Sequence, residues 1–313
     1  MLDPHLQSFF DFWGAAWAKL PPTASWDEQR QHHEAIADAM LDPTLRSVKT
    51  TTHSVPHHTG DVHVRVFHGD PSRLDAPCLV YFHGGGWVRG SSTTNWYVAA
   101  EIARANKQTV ISVDYALAPE HVFPRAVYEC EAATKWAFDN ADMLGINPAA
   151  IVVGGDSAGG NLAAAVALML RGTEYRLLAQ WLIYPVTDFD TGHPSYTQMA
   201  EVPGLLRTRM DLYSALYCPP GPDRESPLAA PLLAETLVGL PPAFVGVAEN
   251  DILRDCGLAY AQRLAESGVP VTLDRGEGLI HGYLLATAYS AAARQKQAVM
   301  IAWLDATNRS ASK

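Results

Sequence analysis

The stretch Ile151-Val152-Val153-Gly154-Gly155-Asp156-Ser157-Ala158-Gly159-Gly160-Asn161 restricts the folding options of this chain more than any other. A β-branched run meets a glycine-flanked serine, and Leu162 to Leu170 then reads as a buried helix that stops near Gly172. Strand, sharp turn and helix in that order are the context in which a G-x-S-x-G match counts as a nucleophile elbow. Gly155 and Gly159 stand two residues either side of Ser157, where a side chain would crowd a turn tight enough to lift the serine off its strand. The helix beginning behind Ser157 turns free N–H groups and its positive end toward any oxyanion formed there. A plain Gly/Ser turn or a phosphate loop is the competing reading. Neither G-x-x-x-x-G-K-[ST] nor G-x-G-x-x-G spacing is present to favour the phosphate loop.

Around this stretch, apolar strand-like and amphipathic helix-like segments alternate. Cys78–Phe82, Thr109–Val113, Ile151–Val153, Leu178–Tyr184, Phe244–Ala248 and Val271–Leu273 read as buried strands. Thr94–Asn106, Ala126–Asn140, Ala158–Arg171, Arg254–Ser267 and Ala286–Ala306 read as helices. Such alternation implies right-handed crossovers and a mostly parallel sheet with helices on both faces. Val62, Val64 and Val66 alternate with His63, Arg65 and Phe67 behind the turn His58-Thr59-Gly60, which supplies an antiparallel edge hairpin. Two helical stretches, residues 6–20 and Trp26–Met40, precede the sheet, the first with Leu6, Phe9, Phe10, Trp13, Trp17 and Leu20 at helical spacing. Residues 188–225 hold more chain than one crossover needs, and are expected to lie over the carboxyl ends of the strands, where open α/β sheets bind ligands. The expected layout is one domain over 1–313, with a core of 48–187 and 226–313 and a helical cap from 1–47 and 188–225.

Net charge −10 argues against a nucleic-acid surface and gives no support for binding anionic membranes. No apolar run reaches membrane-spanning length. Met1-Leu2-Asp3-Pro4-His5 lacks a basic n-region and Asp11 interrupts the apolar part, so a cytoplasmic location is expected. The four cysteines, Cys78, Cys130, Cys218 and Cys256, are scattered without a C-x-x-C pair, which fits a reducing compartment and lacks metal-site spacing. His57 and His58 are adjacent but have no third ligand at suitable spacing, so a solvated turn is the better reading.

A second chemical signal is His83-Gly84-Gly85-Gly86-Trp87, placed after a strand and before a helix. Consecutive glycines expose backbone N–H groups with no Cβ in the way, so a substrate oxygen can approach closely. Paired with G-x-S-x-G later in the chain, this loop supplies oxyanion donors. A serine nucleophile also needs a base, and the base an orienting acid, in the order Ser, acid, His. Downstream of Ser157 only His193 and His281 are available. His281 falls just past the last predicted strand, whereas His193 sits inside the insertion on what reads as a surface loop. Asp251, at the carboxyl end of the Phe244–Ala248 strand, is the expected acid; Glu249 is the reserve, and Asp255, a helical turn later, caps or packs its helix.

Taken together, these residues resemble the hormone-sensitive-lipase family of α/β-hydrolases, in particular its bacterial carboxylesterase members. The resemblance runs from about residue 60 onward and rests on His83 to Trp87, Asp114-Tyr115-Ala116-Leu117-Ala118-Pro119-Glu120, Gly155 to Asn161, Asp251-Ile252-Leu253-Arg254-Asp255 and His281-Gly282-Tyr283. It implies an α/β-hydrolase fold with Ser157 as nucleophile, Asp251 as acid and His281 as base. Oxyanion donors fall on Gly85, Gly86 and Ala158, with His83, Gly84, Gly155 and Gly159 as supporting motif residues. Tyr115, Pro119 and Glu120 fall where the family buttresses the site from beneath. Tyr283 replaces the usual Phe, and Cys256 stands where an acidic residue is common.

The implied reaction is hydrolysis of short- to medium-chain carboxylic esters through an acyl-enzyme, calling for no metal or organic cofactor. The alternatives are an amidase or arylformamidase on the same triad and a ligand-binding receptor on a hydrolase scaffold. The expected partner is a small-molecule ester. An exposed edge strand near residues 271–275 would permit a homodimer. Trp13, Trp17, Trp87, Trp96, Tyr213 and Tyr217 are candidates for the walls of a narrow acyl pocket, or for packing of cap on core.

Overall fold

A single sheet organises the computed structural model, which describes residues 1–311. Its strands are β1 (Lys49–Val55), β2 (Val62–His68), β3 (Ala76–Phe82), β4 (Thr109–Asp114), β5 (Ile146–Asp156), β6 (Ala179–Ile183), β7 (Ala243–Asn250) and β8 (Val271–Ile280). In space they run β1-β2-β4-β3-β5-β6-β7-β8. β2 pairs antiparallel with both β1 and β4, and every pairing from β4 through β8 is parallel.

Ten helices surround the sheet among the described residues: α1 (Leu6–Trp17), α2 (Trp26–Met40), α3 (Trp96–Asn106), α4 (Arg125–Asp139), α5 (Ala141–Leu144), α6 (Ala158–Leu170), α7 (Pro194–Gln198), α8 (Arg207–Tyr217), α9 (Arg254–Glu266) and α10 (Ala291–Ser310). Side chains of successive strand residues point to opposite faces, and each face is covered. Val80, Val153 and Val245 pack with Val127 of α4, Leu162 of α6 and Leu264 of α9. Leu79, Val152 and Phe244 face the other way, toward Leu6 of α1, Ile102 of α3 and Leu304 of α10. This double covering explains why β3 is buried at every position and reads as a continuous apolar run.

The expected architecture is present, with differences at the element ends. β5 begins at Ile146 rather than Ile151, because Ile146 pairs with Ala76 across an irregularity before regular pairing resumes at Cys78. β8 continues to Ile280 rather than ending at Leu273; its pairing with β7 runs through Asp274 and Arg275, polar residues that an edge strand tolerates. Residues 184–242 between β6 and β7 contain only the short α7, α8 and two 3₁₀ turns, so the irregular stretch is longer than 188–225. Its later part returns to the core, where Ala229, Leu237 and Leu240 are buried.

Two features tie the chain's beginning to the body. The Asp3 N–H donates to Gly278 O at 2.9 Å, and Leu6 and Phe9 are buried in the same core as α3 and α10. Arg30 of α2 reaches across to donate to Val88 O and Ala118 O, both at 2.9 Å, and to the Glu120 carboxylate at 2.6 Å. Glu120 therefore anchors α2. Tyr115, by contrast, does buttress the glycine loop, its hydroxyl donating to His83 O at 2.6 Å.

Candidate active site

β5 ends at Asp156 and α6 starts at Ala158, leaving Ser157 alone in the turn at φ 56° and ψ −118°. The reason for the flanking glycines is close approach of backbone to backbone. A Cβ on Gly155 would sit 2.4 Å from Phe82 O, and one on Gly159 only 1.9 Å from the same oxygen. β3, β5 and α6 thus meet at a point where no side chain fits, and the serine is lifted clear.

Parallel pairing brings the other two side chains to this rim. Asn250, the last residue of β7, pairs with Ile280, the last of β8, so Asp251 and His281 leave neighbouring strands at the same level. Ser157 Oγ lies 2.8 Å from His281 Nε2, and His281 Nδ1 lies 2.7 Å from Asp251 Oδ2. Asp251 is 2% exposed, and its other oxygen accepts the Leu253 N–H at 2.9 Å, which fixes the carboxylate plane. The Tyr184 ring, 4.7 Å from the imidazole centre, forms one wall of the histidine's slot.

The rivals for these roles are engaged elsewhere. Glu249 accepts the Gly278 N–H at 2.6 Å, and its carboxylate is partly exposed beside the Met1 amine. His193 contacts the buried Asp188 at 2.8 Å and is itself only 19% exposed, so it is a paired residue within the insertion and not the free surface histidine the sequence suggested. Asp255 accepts the Ser195 N–H at 2.7 Å, joining α9 to α7.

Gly85 and Gly86 follow β3 with φ of 127° and 63°, and line the same cavity as Ser157 and His281. A Cβ at Gly85 would meet Arg89 O at 2.0 Å, and one at Gly86 the Tyr213 ring at 2.4 Å. Among the described residues, the N–H groups of Gly85, Gly86 and Ala158 have no protein acceptor. Ala158 lies at the first position of α6, buried directly behind Ser157.

Asp156 holds the glycine loop against the elbow, a role that sequence reasoning missed. Its Oδ1 accepts from the Tyr81 hydroxyl at 2.5 Å, the Gly84 N–H at 2.8 Å and Asn95 Nδ2 at 3.2 Å. Burial raises its carboxyl above the usual range despite these donors. The only sequence signal is its place beside Ser157; its partners lie on β3, the glycine loop and the start of α3. His83 backs the loop from below. Its ring stacks on Tyr115 at 4.2 Å and its Nδ1 donates to Gly84 O at 2.9 Å, while burial lowers its pKa and keeps the imidazole neutral.

The cavity over Ser157 measures about 120 Å³. Phe9, Phe10 and Trp13 of α1, His33 of α2, and Met210 and Tyr213 of α8 close it from above. Of the aromatic wall candidates, Trp13, Trp87 and Tyr213 do line it, and Trp17 lines a groove outside it. Trp96 packs edge-on against Phe67 on a different face, and Tyr217 is buried behind Trp87, stacked on it at 4.3 Å. Among the described residues, no group of three His, Cys, Asp or Glu side chains is placed to hold a metal. The His57–His58 pair sits on the hairpin turn, with His57 Nδ1 2.8 Å from Thr59 Oγ1.

A serine on a strand–helix turn, with a histidine and an aspartate leaving adjacent strand ends of this sheet, defines the α/β-hydrolase class. The family described as alpha/beta hydrolase fold matches residues 79–285, and the chain belongs to it, within the group resembling hormone-sensitive lipase. It is 41% identical over 228 residues to the carboxylesterase NlhH of Mycobacterium tuberculosis, covering 72% of each protein. It is 42% identical over 213 residues to an arylesterase of Saccharolobus solfataricus, covering 68% of this chain and 70% of that one. Among solved structures, the thermostable carboxylesterase EstE1 from a metagenomic library superposes with a TM-score of 0.86 at 35% identity, over 92% of this chain and 99% of that one. The Pyrobaculum calidifontis esterase does so with a TM-score of 0.88 at 33% identity, over 98% and 99%. No helix among the described residues is long and apolar enough to cross a membrane.

Proposed function

We propose that this chain is a serine carboxylesterase that hydrolyses short- to medium-chain esters through an acyl-enzyme on Ser157. The observation that carries this reading is the unbroken relay from Ser157 Oγ to His281 at 2.8 Å and from His281 to Asp251 at 2.7 Å. His281 Nε2 takes the hydroxyl proton as Ser157 attacks the ester carbonyl, and Asp251 steadies the imidazolium and its tautomer. The tetrahedral oxygen is received by the N–H groups of Gly85, Gly86 and Ala158, each contributing about 3 kcal/mol to the transition state. His281 then protonates the leaving alcohol, and water, activated by the same imidazole, releases the acid. The reaction draws on no metal or organic cofactor.

Ester over amide selectivity is supported by the carboxylesterase and arylesterase relatives. The small cavity over Ser157 supports a short acyl group. In this reading, residues 1–47 and 188–225 form the cap, and β8, at the sheet's edge, is the surface through which a homodimer would form. Four buried, unpaired cysteines support a cytoplasmic location. Ser157→Ala is expected to lower kcat on a short chromogenic ester by about a million-fold, and to abolish labelling by a fluorophosphonate. Wild-type turnover in the alanine variant would remove Ser157 from the mechanism.

A further inference from the structure

A second hollow of about 490 Å³ adjoins the cavity over Ser157, and the wall they share carries Arg89, with no Asp or Glu among the residues lining the outer hollow. Trp13, Arg89, Gly204, Leu205 and Tyr213 line both spaces. Arg209 of α8 also lines the outer groove, and no Asp or Glu does. On the inner wall the carboxylate is Asp156, whose Oδ1 is occupied by Tyr81, Gly84 and Asn95. The Arg89 guanidinium lies 4.7 Å from the Trp17 ring centre and 5.6 Å from that of Tyr213. Its Nε is buried without an acceptor. Among the described residues, Arg89 is partly buried with its Nε unanswered, while Arg209 stands exposed to solvent at the rim of the groove. In a chain of net charge −10, two arginines on a groove lined by no acidic residue call for an anionic ligand.

We propose that the outer groove is a subsite for an anionic oxygen group, carboxylate or phosphate, carried on the leaving alcohol of the ester, with Arg89 and Arg209 determining that specificity. The inference rests on the ester-hydrolase reading and adds a substrate class to it. The alcohol side is assigned because the acyl group stays on Ser157 after the first step, while the alcohol must depart through the larger, outer space. Arg89 suits the task. Its planar fork is held by the faces of two aromatic rings, so little freedom is lost when it meets an anion in a partly dry setting. Arg209 adds charge at the outer rim, where it draws the substrate in.

The test compares acetyl esters of 4-hydroxybenzoate, of 4-hydroxyphenyl phosphate and of the neutral 4-hydroxybenzamide, each kcat/KM divided by that ester's rate constant with hydroxide. The protein is expected to favour at least one anionic ester over the neutral one by about tenfold at low salt, and the better of the two identifies the anion. Raising salt from about 0.01 to about 0.5 M should shrink the preference. Arg89→Met and Arg209→Gln should each lower the anionic-to-neutral ratio by about threefold or more, with Arg89→Lys falling between wild type and Arg89→Met. All three esters are read on one preparation, so a partly misfolded variant leaves the ratios valid. A wild-type ratio of one or less, or a ratio that neither Arg89→Met nor Arg209→Gln moves, overturns the subsite and leaves Arg89 as a clip between Trp17 and Tyr213. Neutral-ester turnover alongside that result keeps the hydrolase reading. Failure to turn over all three esters, with no fluorophosphonate on Ser157, overturns both.

Discussion

Ser157 is held at φ 56° and ψ −118°, a backbone region that costs a residue with a Cβ about 1–3 kcal/mol. Glycine alone is at ease there, which separates the two ways of deleting the hydroxyl. Ser157→Gly is expected to be more stable than Ser157→Ala by about 1 kcal/mol, after glycine's own entropic cost in the unfolded chain. Urea midpoints of the two variants check this, and the reverse order would mean that the turn stores no strain. Ser157, Asp251 and His281 were legible in the sequence because each closes a strand-like run and their chain order is restrictive. Asp156 was not. Its bonds to Gly84, Tyr81 and Asn95 span 72, 75 and 61 positions, and nothing local marks a carboxylate as the clamp on a loop that far away. The aromatic candidates divided between wall and packing for a related reason. Trp96 and Tyr217 are as apolar in sequence as Trp13 and Tyr213, and only tertiary placement decides which of them borders the cavity.

Among the elements, those with local end signals were read best. α2 runs over Trp26–Met40 as expected because Ser25 and Glu28 form a reciprocal capping box. The ends of β5 and β8 were misjudged where polar residues continue pairing at an irregularity or an edge, which an apolar pattern does not record. Arg30 is one of the side chains that hold α2 over the site, beside Glu34, which accepts from Ser91 Oγ at 2.7 Å. Arg30 joins it to Val88 O beyond the glycine loop, to Ala118 O and to Glu120. Arg30→Met keeps most of the stem and removes these bonds, leaving two carbonyl oxygens without that donor. The expected loss is about 1–3 kcal/mol of stability, together with a KM on a short ester that rises more than kcat falls, because His33 of α2 lines the cavity while the relay itself is untouched. Denaturation midpoints and Michaelis curves measure the two effects. A stability loss with KM unmoved would make α2 a support for the fold alone.

For the molecule as a whole, burial of neutral imidazoles couples stability to acid. His33, His68 and His83 are all held below their ordinary value of 6.5, with burial the leading cause. His33 is lowered furthest in kind, being enclosed by Trp13 and Trp17 and also facing Arg89, His83 and His32. The unfolded chain keeps the ordinary value, so below it the unfolded state binds protons that the folded state refuses. The stabilisation is therefore complete above pH 6.5 and is lost as pH falls through the lowered folded values. Asp156 and Asp188 act in the opposite sense, since burial raises both above 3.8; their contribution is present below that value and lost as pH rises through the folded pKa. These opposed terms blur the wild-type curve, but the difference made by one histidine stays readable. Between about pH 7.5 and about pH 5.5 the urea midpoint of His33→Gln is expected to fall less than that of wild type, because the amide replaces a group that takes up a proton only on unfolding. Equal falls in the two proteins would mean that His33 titrates in the folded chain as it does in the unfolded one, and that the aromatic enclosure around it admits the charged ring without penalty.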